Sequence, residues 1–184
     1  MRLRPASAKD LRRMGRCGRV ADAIALILRF LHIWFGIAWI GALVYGVSVL
    51  RRTLARVDAA TAKELMKKLI PIVTRFLPGS AVMTILFGVL LYLYLGAFDV
   101  PYLTGSDWGR TLLAALVLSL ATFAIGMVFG VRSAKKILGH LNEESCAHGP
   151  EVGALQKRFN LSQFVALALG LVIVALMVLA TEGL

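Results

Sequence analysis

Four long apolar runs divide this chain, and the segments between them are rich in lysine and arginine. The first, Phe30 to Leu50, holds 21 residues without a formal charge. At 1.5 Å per residue it makes about 31 Å of helix, enough to cross a bilayer. Three further runs, at about 79–96, 110–131 and 159–181, predict three more spans. The fold expected is all-α: an integral membrane four-helix bundle. Small residues recur at helical spacing within it. Thr84, Gly88 and Tyr92 form a predicted contact ridge, as do Ser162, Ala166 and Gly170. In the third run Ser119, Thr122, Gly126 and Gly130 fall on one side, and Gly126-x-x-x-Gly130 is a close-packing motif. Between the runs, Ala59 to Leu69 reads as an amphipathic surface helix ended by Pro71. The 97–109 connection reads as a short turn, and 132–158 as a polar loop.

Composition agrees with the pattern. Of 184 residues 59% are hydrophobic, arranged in runs rather than amphipathic stripes, so a soluble domain is excluded. The net charge of +11 does not indicate nucleic acid, because the basic residues flank the apolar runs. There they set topology and touch anionic lipid, so the bilayer is the expected partner. Residues 1–20 form a basic arm ahead of one membrane domain, residues 21–184. An organelle transit peptide fits the arm's arginine content, but it has a single serine, and Met14 offers a shorter start. Cys17 and Cys146 lie far apart in flanking segments and indicate no disulfide framework. Four spans put 51–78 and 132–158 on one side with twelve Lys and Arg. The positive-inside rule makes that side cytoplasmic and both termini external, in a bacterial inner membrane, although the arm pulls the other way.

His32 is the histidine of the apolar runs. An ionisable, ligating side chain in hydrocarbon is costly and raises a functional hypothesis. At about 3.6 residues per turn it shares a face with Gly36, Trp39, Leu43 and Gly46, and Arg29 lies one turn earlier. That stripe predicts a trough for a flat cofactor. Haem b would have its iron on His32, its propionates near Arg29 and Trp39 as a wall. The plainer reading is an interhelical hydrogen bond with glycines admitting close backbones. A sixth ligand would come from Met83, Met127 or Met177, or from His32 of a second copy in a homodimer; five-coordinate haem needs none. Copper is the competing ion, held by His32 with Met83 and Met127. Arg110 is either an interfacial anchor or an inward partner for a cofactor carboxylate. His140, Cys146 and His148, with Glu143 and Glu144, form a polar loop that matches no established zinc spacing. With no nucleophile–base pair, paired intramembrane carboxylates or phosphate loop, an ordinary hydrolase is excluded.

The run Leu31-His32-x6-Trp39-x-Gly41 resembles the first helix of the copper-resistance D family and its relatives. That clan includes the HemJ-type protoporphyrinogen oxidases. Thr84-x3-Gly88-x-Leu90-Leu91-Tyr92 resembles its second helix, and Leu176-Met177-Val178-Leu179-Ala180 its last. The resemblance covers roughly residues 30–181 and implies haem on this histidine or a role in copper handling. HemJ-type proteins carry a lysine early in the third span, where this chain has Arg110. Their fourth span opens Asn-Glu-x-Pro, where this one reads Asn160-Leu161-Ser162-Gln163. Other expectations are an accessory or assembly subunit of a larger membrane oxidase or copper complex, and copper transport.

Overall fold

The computed structural model describes residues 8–142 and 149–181, with side chains over 22–142 and 151–181. These residues contain seven α-helices: α1 (Ala8–Tyr45), α2 (Arg51–Leu54), α3 (Ala59–Leu95), α4 (Val100–Gly105), α5 (Asp107–Ile125), α6 (Arg132–Asn142) and α7 (Gly149–Thr181). Two π segments, Gly46–Leu50 and Gly126–Val131, join α1 to α2 and α5 to α6. The result is four rods. Among the described residues, four helical stretches are long and apolar enough to cross a membrane: Asp22–Leu54, Ala59–Leu95, Asp107–Asn142 and Glu151–Thr181. The chain is an all-α, multi-pass membrane protein.

Polar side chains mark where the rods begin. Asp58 accepts the amide of Thr61 at 2.9 Å and its hydroxyl at 2.6 Å, capping α3. Asp99 caps α4, with Pro101 in its first turn. Ser106 accepts the amide of Gly109 at 3.0 Å and caps α5. The 97–109 connection is thus more than a turn: it holds α4, entered through Ala97 and Phe98 at φ 51° and 58°. Phe98 N–H closes the end of α3 on Leu93 O at 3.0 Å.

Three boundaries differ from the pattern reading. Pro71 does not end a surface helix; α3 runs through Pro71 and Pro78 from Ala59 to Leu95. One interior proline costs about 3 kcal/mol, whereas ending a helix in hydrocarbon strands up to about four backbone groups at several kcal/mol each. Continuation is the cheaper outcome. The 132–158 loop is also mostly helix, since α6 reaches Asn142 and α7 starts at Gly149. The basic arm from Ala8 onward is helical and continuous with the first span. Arg, Lys, Leu and Ala are good helix formers and carry the helix through Gly15 and Gly18, each of which costs about 1 kcal/mol.

Packing falls into two layers. At mid-span Trp39, Leu43, Ala81 and Ala166 bury one another. Nearer the 51–58 turn, Ile70, Ala134, Ile137 and Leu155 form a second cluster, which holds the start of α3, α6 and the start of α7 together. Polar residues between the helices bond back to their own turns: Ser119 to Ala115 O at 2.7 Å, Thr122 to Leu118 O at 2.8 Å, Ser162 to Phe159 O at 2.7 Å. Their polarity is satisfied internally, so they serve as small spacers that let helices approach. Half of the Gly126/Gly130 motif does this work. A Cβ on Gly130 would stand 3.3 Å from Ser162 Oγ, while one on Gly126 would meet nothing within 4 Å.

Candidate functional site

The face of α1 that periodicity assigns to His32 does turn inward, against α3. Trp39 and Leu43 are buried at 7% and 2% exposure, and a Cβ on Gly36 would touch Thr84 Cγ2 at 3.7 Å. Further up the same interface the imidazole of His32 lies on the backbone of Gly88. A Cβ there would be 2.8 Å from His32 Cε1 and 2.9 Å from Nδ1. Only a glycine leaves room for the ring.

His32 Nδ1 lies 2.8 Å from the carbonyl oxygen of Thr84. A carbonyl only accepts, so Nδ1 carries the proton and the neutral ring has its lone pair on Nε2. Nε2 has no hydrogen-bond partner among the described residues, yet it is not a sealed, unsatisfied atom. The ring as a whole is half-buried in the α1–α3 seam. Phe35 and Phe87 stack with centroids 5.8 Å apart along the same α1–α3 seam. Arg29, one turn earlier, is exposed and makes no ion pair with a described carboxylate.

The expected cofactor residues separate into two groups. Arg29 and Nε2 of His32 are left without a described partner. Gly36 and Trp39 are taken up by packing: α3 fills the trough, and Trp39 sits in the mid-span core rather than beside the histidine. A macrocycle does not fit along the His32–Gly36 stripe in this packing, because α3 occupies it. Arg110 is exposed and pairs with Asp107 one turn before it. Met83 and Met127 are outward-facing, at 40% and 37% exposure. Met127 lies in the π segment beside Pro78 and Phe159, along a cavity of about 50 Å³ that His32 does not line. Met127 therefore lines a space that the imidazole does not. Among the described residues no three His, Cys, Asp or Glu side chains cluster as a metal site. His140 lies in the last turn of α6, while Cys146 and His148 lie outside the described residues.

Sequence reasoning missed the partner of His32, although the signal existed. Thr84, Gly88 and Tyr92 stood out as a ridge, and the first two are the residues that seat the imidazole and Gly36. The third, Tyr92, donates its hydroxyl to Leu103 O at 2.7 Å and pins α4. What one chain cannot supply is which ridge meets which trough. Comparison of this chain with protein-family models, curated proteins and solved structures returns no match, so the site stands on its own geometry.

Proposed function

We propose that this chain is a redox or haem-handling protein of the bacterial inner membrane that binds haem b through Nε2 of His32. The single observation that carries this is the split role of the imidazole. Its Nδ1–H is fixed on Thr84 O, and its Nε2 is left with a lone pair and no described protein partner. Ligating histidines are held this way, with the second nitrogen donating to a backbone carbonyl. A pure interhelical clamp explains the donor alone. It is worth only about 1 kcal/mol and assigns no role to the second nitrogen. The resemblance of Leu31-His32-x6-Trp39-x-Gly41 to the copper-resistance D and HemJ-type proteins points the same way.

Bound haem supplies one-electron chemistry. In that case His32 would hold the group through Nε2 from the α1–α3 seam, and Arg29 would offer its charge to a carboxylate. Copper is the weaker ligand of the same nitrogen, because Met127 lines a space that His32 does not. The accessory-subunit reading has the Gly126-x-x-x-Gly130 and Ser162/Ala166/Gly170 faces meeting a partner; Gly130, Ser162, Ala166 and Gly170 are buried within the bundle, and Gly126 remains open to one.

The test is an absorption spectrum and metal analysis of the full chain, purified in detergent from haem-replete cells. A Soret band with about one iron per chain is expected. His32→Ala should abolish it, and Arg29→Gln should weaken retention while leaving the band position unchanged. A wild-type protein without iron, or a His32→Ala variant that keeps the band, overturns the reading.

A further inference from the structure

At the end of the bundle away from His32, α2 with its preceding π segment, the first half of α3 and the start of α7 diverge. They leave a cleft of about 600 Å³, within the range of ligand sites. Its walls are apolar, with Leu50, Leu69, Ile70 and Phe159 among them. Its rim is basic: Arg51, whose guanidinium lies 5.5 Å from the Phe164 ring centroid, and Lys63.

Among the polar groups of this cleft, the Thr74 hydroxyl bonds back to Ile70 O at 2.8 Å, while the cations and amides are less engaged. No described carboxylate is within ion-pair reach of Arg51 or Lys63. The acids of the same stretch are engaged elsewhere, Glu64 with Lys67 and Asp58 in the cap of α3. Gln156, Asn160 and Gln163 also line the space, and none of their amides bonds to a described residue. Two cations without a described carboxylate partner and three amides without a described hydrogen-bond partner, above apolar walls, are complementary to one kind of molecule: an anion carried on a hydrocarbon chain.

We propose that the cleft binds an anionic phospholipid of the surrounding bilayer. One acyl chain lies between the Leu50 and Phe159 walls, the phosphate at Arg51 and Lys63, and the ester region against the amides. A free anion would leave the apolar walls wet, and a zwitterionic lipid would leave the rim charge uncompensated. The site is separate from His32, so it stands whether or not haem binds there.

Native mass spectrometry of the detergent-solubilised full chain tests this with phosphatidylglycerol and phosphatidylcholine added at equal concentration. Each cation near anionic lipid is worth about 1 kcal/mol, so the expected preference for phosphatidylglycerol is at least about tenfold. Arg51→Gln with Lys63→Gln should remove that preference. Arg52→Gln with Lys68→Gln removes the same charge outside the cleft and should leave it unchanged. Ala62→Phe fills the space without altering charge and should abolish retention of either lipid, which keeps the test decisive if the double variant misfolds. Equal retention of the two lipids, equal losses in the two double variants, or full displacement by inorganic phosphate overturns the proposal.

Discussion

A methyl group at position 88 would stand 2.8 Å from Cε1 of His32, closer than side-chain carbons are found to pack. The ring cannot yield sideways without giving up the 2.8 Å bond from Nδ1 to Thr84 O. Gly88→Ala should therefore lower the thermal stability of the detergent-solubilised protein, by about 1–3 kcal/mol as overpacking usually does. It should also move or weaken any absorption that depends on His32. Gly36→Ala is the control one turn along the same seam. Its new carbon would meet Thr84 Cγ2 at 3.7 Å, an ordinary contact, so its stability should stay within about 0.5 kcal/mol of wild type. If the two variants behave alike, the imidazole does not rest on Gly88. At this scale the inward direction of His32, Gly36, Trp39 and Leu43 was legible, because it follows from helical period alone. The contents of the trough were not. An empty stripe on one helix and a small-residue ridge on another look the same whether a cofactor or the second helix fills the gap.

Among the elements, existence was more legible than extent. The apolar runs announced four spans, but Pro71 and the charged 132–142 stretch looked like stops and are continuous helix. Neither was a true stop: one proline removes a single backbone bond from a long helix, and the Lys, Ala and Leu of 132–142 are good helix formers. The true start of α3 lies in water, at Asp58, and there ordinary capping rules apply. The Thr61 hydroxyl, and then its backbone amide, hold the Asp58 carboxyl below the usual carboxylate range. A folded-state value that is depressed means stabilisation present above the unfolded value and lost as pH falls through the folded one. Amides at positions 60–62 should accordingly exchange with deuterium faster, after correction for intrinsic rates, once the pH drops below that range. In Asp58→Ala they should be fast at every pH, with the rest of α3 unaffected. Protection in the variant equal to wild type at neutral pH would remove the cap from the account.

For the molecule as a whole, charge asymmetry decides how the bundle sits. The end carrying the 51–58 turn and the α6–α7 junction holds twelve Lys and Arg across 51–78 and 132–158. The opposite end, around α4, has Asp99 and Asp107 with Arg110 tied to Asp107. Against this, the seven basic residues of 1–20 favour an inside N-terminus. The helix from Ala8 bears on that conflict: from there the arm runs on into the first rod. Twelve charges spread over two loops outweigh seven on one terminus if the loops are retained together, which the shared cluster of Ile70, Ala134, Ile137 and Leu155 favours. The expected orientation is cytoplasmic for the basic end and external for both termini, which places His32 near the outer face and the lipid cleft in the anionic inner leaflet. Single cysteines measure this directly in a background where Cys17 and Cys146 are serine. Thr104→Cys should react with a membrane-impermeant maleimide in intact cells, and Ala60→Cys only after lysis. The reverse pattern would mean that the arm dominates insertion. Haem, if bound, would then face the cytoplasm, and the cleft would face the leaflet where anionic lipid is scarcer.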